Sequence, residues 1–466
     1  MTDVATTHTR NELDPARLGR NYVKLFWAST ISNLGDGIGI IAYPWLASAV
    51  TRNPLLISLV VVVQRLPWLL FSLPAGVITD RHDRKRLMVA SNTIRAIVTI
   101  GIALVVMGRQ GGLPSPDVVS DAATVITTDT ALYLMILVAT LLLGIAEVLY
   151  DNSAQTFLPS IVHADNLEKA NGRLWSGELV ANTFAGPPLA ALLIAVSFAL
   201  PFYADAATFA ASALLIAFIH PAAQNRSTAV ASAGTAGGPA STSWRNELAE
   251  GFRWLWSHDL LRSLAITLGA LNLIGALAAA TFVLFGQEVL DTSPTEFAML
   301  GTGGAVGGIV GGWTASNVAK RIGAGPSLML TLVGGGLCSL LIGLMSWWPW
   351  VWLLMVAFMF VGTLWNVITV SFRQSVIPDH LLGRVNSVYR FFGWGMMPIG
   401  AALGGLIVVI VDQFASRELA LRMPWLVAGV LSLLLFVVAG PRLTTAKFAE
   451  ARAAAAAAGD LPSDAE

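Results

Sequence analysis

The sequence predicts an all-α membrane protein with twelve transmembrane helices, arranged as two six-helix pseudo-repeat bundles around a central cavity. Its composition, its long apolar segments and the placement of its basic residues all support this prediction. Of the 466 residues, 55% are hydrophobic and 12% are charged, whereas soluble domains carry roughly 25% charged residues. A soluble core cannot hide this much apolar surface, so lipid must cover it.

Apolar segments of membrane-spanning length recur along the whole chain. A spanning helix needs roughly 20 mostly apolar residues, and about twelve segments meet this requirement. They begin near Lys24, Leu55, Leu87, Ala131, Leu174, Pro201, Leu260, Thr295, Ser327, Trp350, Asn386 and Leu421.

The basic residues predict which way the segments cross. When the spans alternate from a cytoplasmic N-terminus, 22 of the 28 Lys and Arg residues fall inside and four fall outside. Arg65 and Arg95 fall within spans. Cytoplasmic loops carry an excess of Lys and Arg, so we expect a multi-pass protein with both termini in the cytoplasm.

Composition divides the chain into five parts. We expect a cytoplasmic tail at 1–23, a six-helix bundle at 24–221, a cytoplasmic linker at 222–257, a second bundle at 258–441 and a tail at 442–466. Residues 222–243 are rich in Ala, Gly, Ser and Thr, which is typical of a flexible linker. Residues 244–257 form an amphipathic pattern, either a helix on the inner leaflet or one packed on the bundle ends.

The two halves repeat one another in the same order. Residues 155–159, after helix 4, match residues 374–378, after helix 10. Helices 5 and 11 carry matching glycine and proline positions, which predict close helix packing: Gly186, Pro187, Pro398 and Gly400. Parallel repeats of this kind indicate duplication of a six-helix unit.

Ionisable residues inside the membrane are functional candidates, because each is costly there. Asp36 lies about halfway along helix 1, between Gly35 and Gly37. A carboxylate at this depth can take up and release a proton. Alternatively, it is a structural acid satisfied by nearby hydroxyls or by Arg65.

Glu147 and Asp151 lie one turn apart on helix 4. Two close carboxylates titrate as a coupled pair, which suits a proton site or a site for a cationic substrate group. The alternative is an ion pair at the inner gate with Arg173 or with the basic loop. Glu178 and Asp205 are expected close to the interfaces, where water reaches them.

Arg65 and Arg95 lie within helices 2 and 3, where an unpaired guanidinium is costly and stays charged. Each needs an internal carboxylate or a wet cavity. We expect Arg65 to pair with Asp36, either as a switch that opens when the acid is protonated or as a static brace.

The loop at residues 76–86 carries the pattern Gly-x-x-x-Asp-Arg-x-x-Arg-Lys. With this loop, the Gly35-Asp36-Gly37 motif and Gly186-Pro187, residues 21–441 resemble the major facilitator superfamily. Within it the chain is similar to the drug–proton antiporter branch, which includes macrolide efflux proteins and the enterobactin exporter. The resemblance implies a gate loop that includes Gly76, Asp80, Arg81 and Arg84. In it, Asp80 and Arg84 would latch the halves at the cytoplasmic face.

The resemblance implies a secondary transporter of a bacterial inner membrane that exports a small amphipathic, drug-like compound, with proton antiport and alternating access. Its partners would be the lipid bilayer, a small-molecule substrate and protons, and the chain would act as a monomer. We expect no enzymatic activity, cofactor, metal or nucleic-acid partner. The alternatives are a dedicated exporter of one metabolite, such as a siderophore or a lipid, and a membrane scaffold or polytopic enzyme.

Overall fold

The computed structural model describes residues 18–119, 126–163, 166–219 and 244–457. The N-terminal tail up to residue 17, the linker at 220–243 and the end of the C-terminal tail lie outside the described residues. Twelve long helical segments, numbered here α1 to α12, run through the described part. They are Gly19–Val50, Pro54–Arg81, Arg84–Gly108, Thr130–Phe157, Leu167–Leu179 continued by Gly186–Val196, Leu200–Ala217, Asp259–Ala279, Pro294–Ile322, Ala324–Leu344, Trp348–Val376, Asp379–Val411 and Arg417–Ala439.

The fold is all-α, as the sequence predicts. Within the described residues, 10 helices are long and apolar enough to cross a membrane. Helices α1 and α8 are the two long helices not among the 10, although they have 32 and 29 residues. Helix α8 is rich in glycine, and α1 contains Asn33, Asp36 and Pro44, and these residues lower mean hydropathy without shortening the helix. The described helices are therefore consistent with twelve spans.

The helices pack as two halves that meet along two seams. In the first half, α1 packs against α5 and α6, while α4 packs against α2 and α3. In the second half, α7 packs against α11 and α12, and α10 against α8 and α9. The seams between the halves are α2 against α11 and α5 against α8.

Matching positions in the two halves bring matching helices close together. A Cβ added to Gly186 in α5 would lie 2.5 Å from the Cα of Gly37 in α1. In the second half, a Cβ added to Gly400 in α11 would lie 2.0 Å from the carbonyl oxygen of Leu273 in α7. Pro187 and Pro398 are buried beside these glycines. The helix pairs α1–α5 and α7–α11 thus use glycine at equivalent places, as duplication of a six-helix unit requires.

The amphipathic helix Trp244–Ser257 packs against α11, on the end of the second half. Glu250 accepts a 2.6 Å hydrogen bond from Arg384 in α11, and Leu255 is fully buried. Phe252 and Trp256 remain exposed on the same helix. The helix thus packs on the bundle end, and its exposed aromatic residues keep a position on the inner leaflet as a prediction.

Candidate functional site

A cavity of about 300 Å³ lies between the two halves. Asp36, Arg95, Glu147 and Asp205 line it from four helices of the first half. The second half contributes apolar groups from the end of α7, from the short helix Phe282–Glu288 that follows it and from the start of α8, including Phe282 and Phe297. Ligand sites are typically apolar cavities with a few polar groups that fix orientation, and this cavity has that character.

The central polar contact of the cavity is an ion pair between Asp36 in α1 and Arg95 in α3. The Arg95 side chain is 3% exposed, and that of Asp36 is 24% exposed. Arg95 also lies 3.9 Å from the centre of the Phe209 ring and donates to the hydroxyl of Ser32 at 3.3 Å. Pairing satisfies a guanidinium that cannot shed its charge, while the aspartate keeps some access to the cavity.

The prediction that Arg65 pairs with Asp36 is wrong, because Arg95 occupies that position. The guanidinium of Arg65 in α2 lies 5.8 Å from the ring centre of Trp394 in α11. Trp394 in turn stacks on Trp68, with ring centres 5.9 Å apart. Arg65 therefore belongs to the α2–α11 seam between the halves, where a cation over an indole face is favourable.

The glycines beside Asp36 allow two other helices to approach it. A Cβ on Gly35 would lie 2.4 Å from the carboxylate oxygen Oδ1 of Asp205 in α6. A Cβ on Gly37 would lie 2.4 Å from the carbonyl oxygen of Asn182 in α5. Asn182 lies in a π-helical turn, Val180–Ala185, that interrupts α5, and such turns are frequent at functional sites.

The two acids of α4 have different positions relative to the cavity. Glu147 lines the cavity, and Asp151 follows one helical turn further along α4. Both act electrostatically on Arg95, and Glu147 also acts on Arg65. The structure thus brings Glu147 to the same cavity as Asp36, while Asp151 is not among the residues that line it.

Sequence reasoning misplaced Asp205. Because Asp205 lies close to the start of α6, the sequence predicts it at the outer interface, within reach of water. The structure instead buries it, at 2% exposure, beside Gly35 in the cavity wall. Helix α6 packs along both α1 and α3, so the second turn of α6 is covered by these helices. Only the packing of α6 on α1 could have revealed this depth.

A polar network joins the two halves at the face that the charge distribution predicts to be outer. Glu288, which follows α7, accepts hydrogen bonds from Arg52 at 3.3 Å and from Arg417 at 2.9 Å. Arg417 also donates to the backbone oxygen of Arg52 at 2.9 Å. Gln287, the residue before Glu288, accepts a hydrogen bond from Arg52 at 2.8 Å and donates one to Ser48 at 2.9 Å. This outer network was not anticipated, since the sequence marks Arg52 and Arg417 only as outside charges.

At the opposite face, two basic residues of the gate loop bond within their own half. Arg84 donates to the carbonyl oxygen of Thr156 at 2.7 Å, and Lys85 donates to that of Ile219 at 2.7 Å. Gly76 is half-buried and Arg81 is exposed. The side chain of Asp80, and with it the expected latch contact, lies outside the described side chains. The Arg84 bond to Thr156 connects α3 with α4 rather than with the second half.

A cavity between two packed six-helix halves, with a network of side chains across one face, defines the fold of a secondary transporter. The chain belongs to the Major Facilitator Superfamily, whose family model matches residues 25–401. The chain is thus a multi-pass membrane protein, with the lipid bilayer as its surroundings.

Relatives and solved structures are similar to the chain over most of its length. Multidrug efflux pump Tap of Mycolicibacterium fortuitum is 24% identical over 421 residues, covering 88% of this chain and 94% of that protein. Enterobactin exporter EntS of Shigella boydii is 24% identical over 425 residues, covering 89% and 91%. The nucleoside transporter NupG shares the fold with a TM-score of 0.66 and 14% identity, covering 91% of this chain and 99% of that one. A bacterial homologue of the iron transporter ferroportin in an inward-facing state has a TM-score of 0.64 and 16% identity, covering 90% and 98%.

Proposed function

We propose that the protein exports a small amphipathic compound across the bacterial inner membrane, in exchange for protons. The two halves rock about the central cavity, so that the cavity opens to one face at a time. Both termini lie in the cytoplasm, and the protein acts as a monomer without enzymatic activity. The similarity to Tap and EntS supports export, and the buried Asp36–Arg95 pair at the cavity is the observation that carries the proposal.

The exchanged proton is held among the acids in and next to the cavity, including Asp36, Glu147 and Asp151. A charged group at this depth costs several kcal/mol by contested estimates. The two membrane-embedded arginines, Arg65 and Arg95, neutralise at most two of these carboxylates. The remaining negative charge is balanced by a bound proton or by a cationic group of the substrate. Because a proton and a cationic substrate group balance the same negative charge, binding of one favours release of the other. This competition is the physical basis of exchange.

In the outward-facing state of the transport cycle, the gate loop closes the cytoplasmic face. Gly76, Asp80, Arg81 and Arg84 carry the pattern by which the loop resembles the superfamily. In this conformation Arg84 bonds to Thr156 within its own half. For the outward-facing state we propose that Asp80 and Arg84 instead latch the first half to the second, with α11 as the natural partner.

The test of export is drug accumulation in cells that produce the Asp36→Asn variant. We expect loss of proton-dependent efflux, because the substitution removes the negative charge paired with Arg95. Asp259→Asn is the matched control, because its side chain is 86% exposed and pairs with Arg262 at the surface. Unchanged proton-dependent efflux in Asp36→Asn would remove Asp36 from the mechanism. Purified protein in liposomes, with an imposed pH gradient and a panel of compounds, tests direction and coupling.

The second candidate is a dedicated exporter of one metabolite, favoured by the similarity to an enterobactin exporter. The same liposome panel separates the two functions. Transport of several unrelated amphipathic compounds supports a drug exporter, whereas transport of a single compound supports the dedicated function.

A further inference from the structure

We infer that Asp205 is the carboxylate that binds and releases the exchanged proton, while Asp36 stays ionised in its pair with Arg95. The inference rests on the proposed proton exchange and assigns that exchange to one residue. The step is a simple protonation: one O–H bond forms on the carboxylate in one conformation and breaks in the other. No electrons are transferred.

The position of Asp205 combines burial with access to the cavity. The residue is 2% exposed and lies in the wall of the central cavity. Its Oδ1 has no hydrogen-bond partner in the described part of the chain. The hydroxyl of Thr208, which also lies beside Gly35, donates to the backbone oxygen of Asp205 at 2.7 Å. A buried carboxylate with an oxygen that accepts no hydrogen bond is costly when ionised.

The groups that face Asp205 do not supply a cation of its own. Helix α1 contributes Asp36 and Tyr43, and α3 contributes Arg95. The third neighbour, the α5 segment Gly186–Val196, contains no titratable side chain. Arg95 makes its ion pair with Asp36, so its charge is already balanced. Ionising Asp205 would therefore add an uncompensated charge, whereas protonating it leaves the ion pair intact.

Glycine at position 35 allows this arrangement. A Cβ there would lie 2.4 Å from Oδ1 of Asp205 and 2.1 Å from the hydroxyl oxygen of Thr208. The chain therefore places a second carboxylate beside Asp36, and the two acids share one arginine. Such a pair can hold one negative charge at low cost, and the second acid must bind a proton. Asp36 keeps the charge because it holds the ion pair.

Infrared spectroscopy of the full-length protein in detergent tests the assignment without a substrate. A buried protonated carboxylic acid gives a carbonyl-stretch band that disappears when the acid ionises. We expect the wild type to show such a band in a pH titration, and Asp205→Asn to lack it. Asp129→Asn, which removes a surface acid, is the control and should keep the band. Size-exclusion chromatography and circular dichroism check that the variants are folded.

A band that remains in Asp205→Asn overturns the inference, and so does a band that disappears only in Glu147→Gln. Transport in liposomes then separates this inference from the proposed function. If the wild type moves no compound of the panel under a pH gradient, proton exchange fails as a function, whatever the infrared result. If the wild type does move a compound under the pH gradient, Asp205→Asn should lose pH-driven transport of it. The variant should keep exchange of the same compound between the two sides of the membrane.

Discussion

At the scale of single residues, the environment of Asp36 depends on the two glycines that flank it. Gly35 admits the carboxylate of Asp205 from α6, and Gly37 admits the backbone of α5. Small residues let helix backbones approach closely in membranes. The motif therefore places an ion pair, a second acid and an irregular helix at one point. It is a packing motif that creates a chemical site.

This packing predicts a sharp difference between two glycines on the same helix. A Cβ on Gly37 would lie 2.4 Å from the carbonyl oxygen of Asn182, whereas one on Gly39 would meet the Tyr43 ring at 3.4 Å. We expect Gly37→Ala to destabilise the protein by about 1–3 kcal/mol, the usual cost of overpacking. Gly39→Ala should have little effect. Thermal unfolding in detergent measures both, and equal stability of the two variants would contradict the α1–α5 contact.

The burial of the Arg95–Asp36 pair leads to a second residue-scale prediction. Removing one partner of a buried pair costs about 3–5 kcal/mol, because the other charge is left uncompensated. Arg95→Gln should therefore strongly lower the unfolding temperature. Arg109→Gln is the control directly after the same helix, because Arg109 pairs with Asp129 at the surface, where such pairs contribute about 0–1 kcal/mol. A similar loss in both variants would show that burial does not govern the cost.

The contribution of the control pair, Arg109 and Asp129, to stability depends on pH. The backbone N–H of Leu132, followed by Arg109, lowers the pKa of Asp129 below its ordinary value. A carboxyl whose folded pKa is depressed stabilises the fold above its unfolded pKa, about 3.9. That contribution is lost as the pH falls through the folded value. The comparison of Arg95→Gln with Arg109→Gln is therefore made near neutral pH, where Asp129 is ionised.

At the scale of elements, α8 and α10 pack through a line of glycines on one face of α8. A Cβ on Gly303 would lie 2.7 Å from the carbonyl oxygen of Trp352, and one on Gly307 would lie 2.1 Å from that of Val356. One turn later, a Cβ on Gly311 would lie 2.9 Å from Thr363. Glycines spaced by four residues fall on one helix face, so α8 offers a smooth surface to α10.

Neighbouring glycines on α8 test this surface directly. Gly307 faces the backbone of α10, whereas a Cβ on Gly308 would have its nearest contact at 3.7 Å. We expect Gly307→Ala to push α10 away and to destabilise the protein by roughly 1–3 kcal/mol. Gly308→Ala should be neutral or slightly stabilising, because alanine favours the helix. Thermal unfolding in detergent separates the two variants, and destabilisation by Gly308→Ala alone would reverse the assigned face.

Much of the element scale could be predicted from the sequence. Apolar runs of spanning length give the helices, and the repeated Gln-x-x-x-Pro and Gly-Pro positions give the duplication. Pairing between distant helices could not be predicted in the same way. The sequence favours Arg65 as the partner of Asp36, and only the packing of α6 against both α1 and α3 places Arg95 there instead. The depth of Asp205 was missed for the same reason.

At the scale of the whole molecule, the two faces differ in how the halves meet. Arg52 comes from the first half, whereas Glu288 and Arg417 come from the second. Glu288 is 6% exposed between the two arginines. At the other face, the bonds of Arg84 and Lys85 stay within the first half. The structure therefore links the two halves at the predicted outer face, where Glu288 is shared by two arginines and Gln287 bonds to Arg52 and Ser48.

Glu288→Gln should shift the protein toward a conformation that is open at the outer face. The neutral amide leaves Arg52 and Arg417 without the negative charge that holds them together. A hydrogen bond to a charged group contributes about 1.5–3 kcal/mol, so losing one favours the open state by roughly tenfold or more. Spin labels at Gly111 and Trp347, one in each half at this face, would report the change as a longer distance. Cys338 is the only cysteine, so a Cys338→Ser background makes the labelling specific.

The control for this experiment is Glu418→Gln. Glu418 is also an acid at the outer face, but it pairs with Arg422 within α12, and its side chain is 61% exposed. Its loss removes the same charge from the same face without cutting a link between the halves. Equal distance changes in both variants would mean that net charge, rather than the bridging position of Glu288, controls opening. A change confined to Glu288→Gln would identify this carboxylate as the outer gate, and its partner arginines would then be the residues that release it in each transport cycle.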